Sequence, residues 1–306
     1  MVNSTQPGKQ YAKILKGIGG LYTVLLENGS EMNAKPRGIL RKSGLAPYPG
    51  DDVLLTYSGD PEAPYRIDEI LPRKNSIIKP AVANIDALLI AVSAADPAPD
   101  YFFVEKMIIL SIRSGIHPVI CVTKSDLDRV AADTIQEIYC SAGFDVFRTG
   151  FDDFDDHDGL LSFTRNMTIS FAGLSGTGKS TLFNRLTETS LMDTGGLSEK
   201  NKKGRHTTRH SELIRFNGGF IADTPGFSAL EITELGVTGE HIIKAYPELE
   251  AVAGKCRFAG CRHMGEKGCA SDHSGISRDR LERYRYFRKA ADMVPEHIIR
   301  QKSKGV

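Results

Sequence analysis

Residues 173–180 read Gly173-Leu174-Ser175-Gly176-Thr177-Gly178-Lys179-Ser180, GLSGTGKS, and this stretch decides the fold. It fits the phosphate-binding pattern G-x-x-x-x-G-K-[ST] in the context that pattern requires, after an apolar strand predicted over Met167 to Ala172 and before a helix predicted over Thr181 to Leu186. Glycines let backbone N–H groups converge on phosphate oxygens at the positive end of the following helix. The reading therefore gives the phosphates the loop of Gly173, Leu174, Ser175, Gly176, Thr177 and Gly178, with Thr181 just behind it. Lys179 is expected to reach the β- and γ-phosphates, where it is catalytic, and the Ser180 hydroxyl to coordinate Mg²⁺.

On both sides of this loop apolar strands alternate with helical patterns. Ile85 to Val92, Pro118 to Val122 and Phe220 to Ala222 read as strands, and Phe102 to Arg113 as a helix. Together they predict an α/β domain with a mostly parallel sheet over 73–230.

A phosphate loop does not name the base, and similar loops occur in small-molecule kinases. Two further motifs decide. Asp223-Thr224-Pro225-Gly226 follows a strand and offers the Asp223 carboxylate to Mg²⁺ and the Gly226 N–H to a γ-phosphate. Thr123-Lys124-Ser125-Asp126 follows the strand ending at Val122 and resembles the guanine-reading N/T-K-x-D. There Asp126 accepts from guanine N1–H and the 2-amino group, which adenine cannot match, while the Lys124 stem covers the ring. Thr123 stands where most such motifs have Asn. The set points to GTP and GDP as ligands and to hydrolysis of the former. A kinase would need an acceptor pocket and no guanine motif. An RNA-binding module holding nucleotide as a structural ligand would release no phosphate.

The order of the motifs is unusual, because the base-reading motif at 123–126 precedes the phosphate loop. The domain reads as circularly permuted. Such a site is built from loops at the carboxyl ends of parallel strands, so the chain ends can move while the strands stay in place.

Two smaller regions flank this domain. Over 1–72 short alternating strands at Tyr11 to Leu15, Leu21 to Leu26, Val53 to Tyr57 and Tyr65 to Ile70 predict an antiparallel barrel of about five strands, either OB-like or SH3-like. Lys35, Arg37, Arg41 and Lys42 fall in a loop-like stretch, where they either contact phosphates or form a solvated loop. Over 231–306, helices predicted at Ile232 to Tyr246 and Arg278 to Met293 flank a cysteine cluster. Cys256, Cys261, His263 and Cys269 are spaced C-x₄-C-x-H-x₅-C, a closed set of three thiolates and one imidazole suited to one structural Zn²⁺ per chain.

Net charge is only +1, yet Glu199 to Arg215 carries six Lys/Arg against two acids and His273 to Val306 nine against four. Such patches suit a polyanion. The longest apolar run, Ala87 to Ala95, is far below the roughly 20 residues of a membrane span, and the start lacks a signal-peptide layout. The expectation is a soluble cytoplasmic protein without membrane contact.

Between the phosphate loop and Asp223, Gly204-Arg205-His206-Thr207-Thr208 occupies the place of a switch whose Thr binds Mg²⁺ and the γ-phosphate, here Thr207 or Thr208. After Gly226, Phe227 replaces the Gln that orients water in Ras-like proteins. A phenyl ring offers no conventional hydrogen bond, so His206 is the candidate to position the water.

TKSD, GLSGTGKS, the segment Gly204 to Thr208, DTPGF at 223–227 and the cysteine cluster together resemble the circularly permuted GTPases that depend on the small ribosomal subunit, the RsgA (YjeQ/YloQ) family. The resemblance implies an OB-like barrel, a GTPase domain and a zinc-binding helical domain. It also implies an enzyme acting in late maturation of the small ribosomal subunit, and it points again to His206; binding through the subunit's rRNA and a monomeric state are separate expectations. The Ser-Ala-like pair it leads one to expect after TKSD does not stand out around Phe147 to Gly150.

Overall fold

The computed structural model describes residues 8–38, 40, 46–78, 81–151, 155–187, 211–223 and 231–303. By packing the chain divides into two compact units: Met1–Ala87 with Thr164–Phe171 and Leu197–Phe227, and Leu88–Phe163 with Ala172–Gly196 and Ser228–Val306.

In the first unit β1 (Gln10–Ile18), β2 (Leu21–Leu26), β3 (Glu31–Pro36), β4 (Asp52–Tyr57) and β5 (Tyr65–Ile70) form a barrel. The strands run in the order β1-β2-β3-β5-β4, and pairing of β1 with β4 closes the ring. Neighbours are antiparallel except β3 and β5, which are parallel in the register Ala34↔Tyr65. A parallel pair excludes a simple meander and resolves the choice between barrels in favour of the OB order. Alternation turns Ala12, Ile14, Val24, Leu26, Val53, Leu55 and Ile67 inward as one core.

The stretch read as a loop around Lys35 is strand β3. Lys35 pairs there with Asp60 at 3.0 Å, and the Arg37 N–H continues onto the Ile67 carbonyl at 2.9 Å. Arg41 and Lys42 lie outside the described residues.

Past the barrel, in chain order, come β6 (Ser76–Ile78), β7 (Ala81–Ala83), β8 (Ala87–Ser93), α1 (Tyr101–Arg113), β9 (His117–Thr123), α2 (Arg129–Ser141), β10 (Asp145–Thr149) and α3 (His157–Phe163). They are followed by β11 (Thr168–Ala172), α4 (Lys179–Thr187), β12 (Glu212–Phe216), β13 (Gly219–Asp223), α5 (Gly239–Lys244), α6 (Pro247–Glu250), α7 (Arg278–Asp292) and α8 (Glu296–Ser303). In the first unit β11 and β13 are parallel, and β12 is antiparallel to β13 and pairs with the barrel through Lys16↔Glu212.

In the second unit the strand order is β10-β9-β8. All seven residues of β8 and six of seven in β9 are buried, the near-continuous apolar pattern of strands covered on both faces. β9 and β10 are parallel, with Thr123 opposite Thr149, so the loops after both strands emerge side by side. Asp100 caps α1 by accepting the Phe103 N–H at 2.9 Å, and Asp128 caps α2 through the Ala131 N–H at 2.9 Å.

The single helix expected over Ile232 to Tyr246 is instead turns followed by α5 and α6. Gly236, with φ +62, and the extended Thr238 end any earlier helix, and α5 starts at Gly239. α7 is held by a buried ionic node. Glu105 of α1, 1% exposed, accepts the Tyr246 hydroxyl at 2.6 Å and faces Arg280 at 3.0 Å and Arg283 at 2.9 Å. Arg280 also meets Glu248 at 2.8 Å. Removing one partner from such a node costs about 3–5 kcal/mol, because the remaining charges stay buried and uncompensated.

Candidate functional site

The phosphate loop leaves β11 at Ala172, and the helix behind it starts two residues earlier than the sequence reading placed it, at Lys179. Lys179 and Ser180 thereby occupy the first turn of α4, where backbone N–H groups have no intrahelical partner and attract anions. The loop is braced from within, the Thr177 hydroxyl donating to the Leu174 carbonyl at 2.9 Å. Gly178 sits at φ +77, in the left-handed region, and a Cβ there would lie 3.2 Å from the Thr123 side chain.

Thr123 ties the two motifs together. It is buried, and its hydroxyl lies 2.6 Å from the Thr177 carbonyl and 3.2 Å from the Val92 carbonyl. The end of β9 is thus bonded to the phosphate loop. Lys124, at φ +55, turns its ammonium onto the Asp96 carbonyl.

A cleft of about 200 Å³ opens beside these residues, lined by Thr123, Lys124 and Asp126 on one side, Gly178 and Thr181 on another, and Thr149, Gly150 and Phe151 on a third. The structure therefore brings the base-reading motif and the end of the phosphate loop into one enclosure. Gly173 is buried, whereas Leu174, Ser175 and Gly176 are exposed. The Leu174 side chain lines a separate groove with Phe102 and Phe287. Asp223 ends β13, and because β11 and β13 are parallel neighbours both strands run out at the same sheet edge. Gly226, Phe227, His206, Thr207 and Thr208 lie outside the described residues.

Sequence reading missed the third wall. Gly150 packs so closely on the base-reading motif that a Cβ would come within 2.4 Å of Ser125 Oγ and 2.9 Å of Asp126 Oδ1. Arg185 of α4 donates to the Gly150 carbonyl, pairs with the Asp155 carboxylate and lies 5.1 Å over the Phe151 ring. The only sequence signal was Gly150 itself, at the place where a Ser-Ala-like pair was sought.

In the C-terminal part, Cys256, Cys261, His263 and Cys269 converge, their ligand atoms all within 4.8 Å of one another. Two thiolates bound tetrahedrally at about 2.3 Å would stand roughly 3.8 Å apart, so the donor set can close on one metal ion. His263 Nδ1 lies 3.2 Å from Cys269 Sγ and 3.7 Å from Cys256 Sγ. Burial lowers the His263 pKa and keeps a lone pair free for a metal. Burial opposes ionisation of Cys269, but its hydrogen bonding with the Ser271 hydroxyl and from the Ser271 N–H prevails and lowers its pKa. The Ala270 N–H points at Cys256 Sγ at 3.3 Å, so two of the sulfurs carry backbone donors of the kind that orient metal ligands. Tyr284 on α7 holds the loop by donating to the Arg262 carbonyl at 2.8 Å.

Comparison with known proteins gives a consistent result. Residues 70–233 match the family described as RsgA GTPase, and residues 12–63 match the RsgA N-terminal domain. The small ribosomal subunit biogenesis GTPase RsgA of Ruminiclostridium cellulolyticum is 39% identical over 94% of this chain and 96% of its own. That of Bacillus subtilis is 36% identical over 90% and 93%. Among solved structures, YloQ, a circularly permuted GTPase, aligns with a TM-score of 0.76 at 29% identity over 95% of this chain and 98% of its own. YjeQ from Thermotoga maritima aligns with a TM-score of 0.75 at 26% identity over 93% and 99%.

Proposed function

The chain belongs to the RsgA GTPase family, and from that premise we propose that it hydrolyses GTP to GDP and phosphate under the control of the small ribosomal subunit, acting late in maturation of that subunit through its rRNA. The observation that carries the reading is the shared cleft, with Asp126 and Lys124 at one end, Gly178 at the other, and the Thr123 hydroxyl binding the two motifs together. A nucleotide lying from Asp126 to Lys179 meets a base reader and a phosphate cradle within one cleft. The shared name of the relatives, small ribosomal subunit biogenesis GTPase, supports the choice of partner.

In this reading Asp126 takes guanine N1–H and the 2-amino group, Lys124 covers the ring, and Thr123 fixes the motif on the phosphate loop. The loop from Gly173 to Gly178 and Thr181 cradle the phosphates, and Lys179 stabilises charge on the transferring phosphoryl group. Ser180 and Asp223 are the residues that would hold Mg²⁺, which when bound offsets charge on the β- and γ-phosphate oxygens. Gly226 donates to the γ-phosphate, Thr207 or Thr208 completes the switch, and His206 positions the attacking water in the absence of a Gln at Phe227.

The cluster of Cys256, Cys261, His263 and Cys269 would hold one Zn²⁺ in a structural role, since four protein ligands leave no open position. We assign 1–72 to the OB-like barrel and rRNA contact, 73–230 to the permuted GTPase domain and 231–306 to the zinc-binding domain, in a monomer working in the cytoplasm. Among the described residues no helix is long and apolar enough to cross a membrane.

The test is a change of base. Asp126→Asn replaces an acceptor by an amide, and competition binding is expected to show preference moving from GTP towards xanthosine triphosphate. Undiminished GTP affinity in the variant contradicts the assignment of Asp126.

A further inference from the structure

The base-reading motif accounts for one part of guanine and leaves O6 without a recogniser. O6 stands beside N1 on the same edge of the ring. A base whose N1–H and 2-amino group go to Asp126 therefore turns O6 towards the main chain next to that carboxylate. That main chain is Thr149 to Phe151: Gly150 approaches so closely that an added Cβ would sit 2.9 Å from Asp126 Oδ1. The Thr149 hydroxyl donates to the Val122 carbonyl at 3.3 Å, so the groups such a stretch can offer a carbonyl oxygen are backbone N–H donors, and their direction depends on how the loop is held.

We propose that Arg185 is the positioning residue for guanine selection, holding the base loop at Gly150 in place of the missing Ser-Ala-like pair. The proposal rests on the guanine reading of Asp126 and deepens it. Two of the three contacts of the Arg185 guanidinium described above fall on this stretch, and the third, to Asp155, holds the same guanidinium from beyond it. One Nη donates to the Gly150 carbonyl, the other meets the Asp155 carboxylate, and the plane lies 5.1 Å over the Phe151 ring. The peptide between Gly150 and Phe151 is planar, so fixing the Gly150 carbonyl also fixes the direction of the Phe151 N–H. A planar fork with several donors can hold a carbonyl, a carboxylate and a ring at once, whereas the single ammonium of a lysine cannot.

Placement gives the contact its consequence. Arg185 lies on α4, the helix that opens with Lys179 and Ser180. One rigid element thus carries the phosphate contacts at its start and the support of the base loop further along.

The experiment measures equilibrium binding of GDP, inosine diphosphate, 6-thio-GDP and inorganic tripolyphosphate to the full chain and to Arg185→Ala, Arg185→Lys and Asp155→Asn. Inosine lacks the 2-amino group read by Asp126, 6-thioguanine alters only the O6 position, and tripolyphosphate reports the cradle alone. Expected for Arg185→Ala is a loss of GDP affinity of about tenfold, the worth of one hydrogen bond. The preference for GDP over 6-thio-GDP should narrow towards unity, while preference over inosine diphosphate and binding of tripolyphosphate are retained. Arg185→Lys should fail to restore the preference, and Asp155→Asn, which leaves the Gly150 contact in place, should move it in the same direction by less. Equal losses for all four ligands would mean a merely structural role and overturn the proposal, as would an unchanged preference over 6-thio-GDP in both Arg185→Ala and Asp155→Asn. If the unaltered chain fails to distinguish GDP from inosine diphosphate, the reading of Asp126 itself falls and this proposal falls with it.

Discussion

Thr123 stands where most guanine-reading motifs have Asn, and its surroundings account for the hydroxyl. A buried side chain of this length reaches the Thr177 carbonyl at 2.6 Å, while Gly178 packs against its methyl-bearing carbon. His241 shows equally local control. Its Nδ1 accepts the Thr238 N–H at 2.9 Å at the start of α5, which only an unprotonated nitrogen can do. Burial, helped by Arg113 and Lys244 and opposed by Glu240, lowers its pKa from 6.5 to about 4. The folded state therefore binds this proton later than the unfolded chain. The contribution is fully present above pH 6.5 and is lost as pH falls through that value towards 4. His241→Gln keeps an acceptor and removes the titration. Thermal denaturation at a series of pH values is expected to show the variant losing less stability than the parent between pH 6.5 and 4; parallel losses would refute the assignment.

At the scale of elements, the sequence announced those with a repeating apolar pattern. β8 and β9 are apolar runs and β2 alternates, and all three were read from the sequence. β3 was missed because its residues, EMNAKP, turn only Ala34 fully inward and include no β-branched side chain. The stretch 232–246 looked helical by apolar spacing, but Gly236 and Thr238 break it. α8 follows Pro295 as a short helix whose apolar residues are the adjacent pair Ile298 and Ile299, too few to show a repeat in the sequence. The cluster of Cys256, Cys261, His263 and Cys269, by contrast, was legible as a cluster, since four candidate ligands within fourteen residues need no distant contact to bring them near. Elemental analysis should find one zinc per chain, and Cys261→Ser should lose it. Hydrogen exchange should then rise sharply over 256–273 while GDP binding persists, because structural zinc supplies folding free energy to its own loop and the nucleotide cleft shares none of its ligands. A zinc-free protein that keeps protection over 256–273 would refute the structural role.

Across the whole molecule, motifs of four to eight residues were legible and the contacts joining them were not. Glu105 meets Tyr246 and Arg280 across 141 and 175 residues, and Arg185 meets Gly150 across 35, separations at which no sequence periodicity operates. These contacts give the permuted order a mechanical meaning. The loop before α1 touches both nucleotide motifs, Asp96 accepting from Lys124 and Pro97 lying 3.3 Å from the Cβ position of Gly176. α1 then carries Glu105, on which α7 is anchored. Movement at the nucleotide can therefore pass to the C-terminal helices through one rigid helix. Positioning supplies most of the catalysis in phosphoryl transfer, so a partner that places His206 at the attacking water would set the rate. The direct measurement is phosphate release from GTP by the full chain, with and without purified small ribosomal subunits, for the parent and His206→Ala. The account predicts slow turnover alone, acceleration by orders of magnitude with subunits, and loss of most of that acceleration in His206→Ala with GTP binding and subunit association retained; turnover that subunits leave unchanged would contradict it.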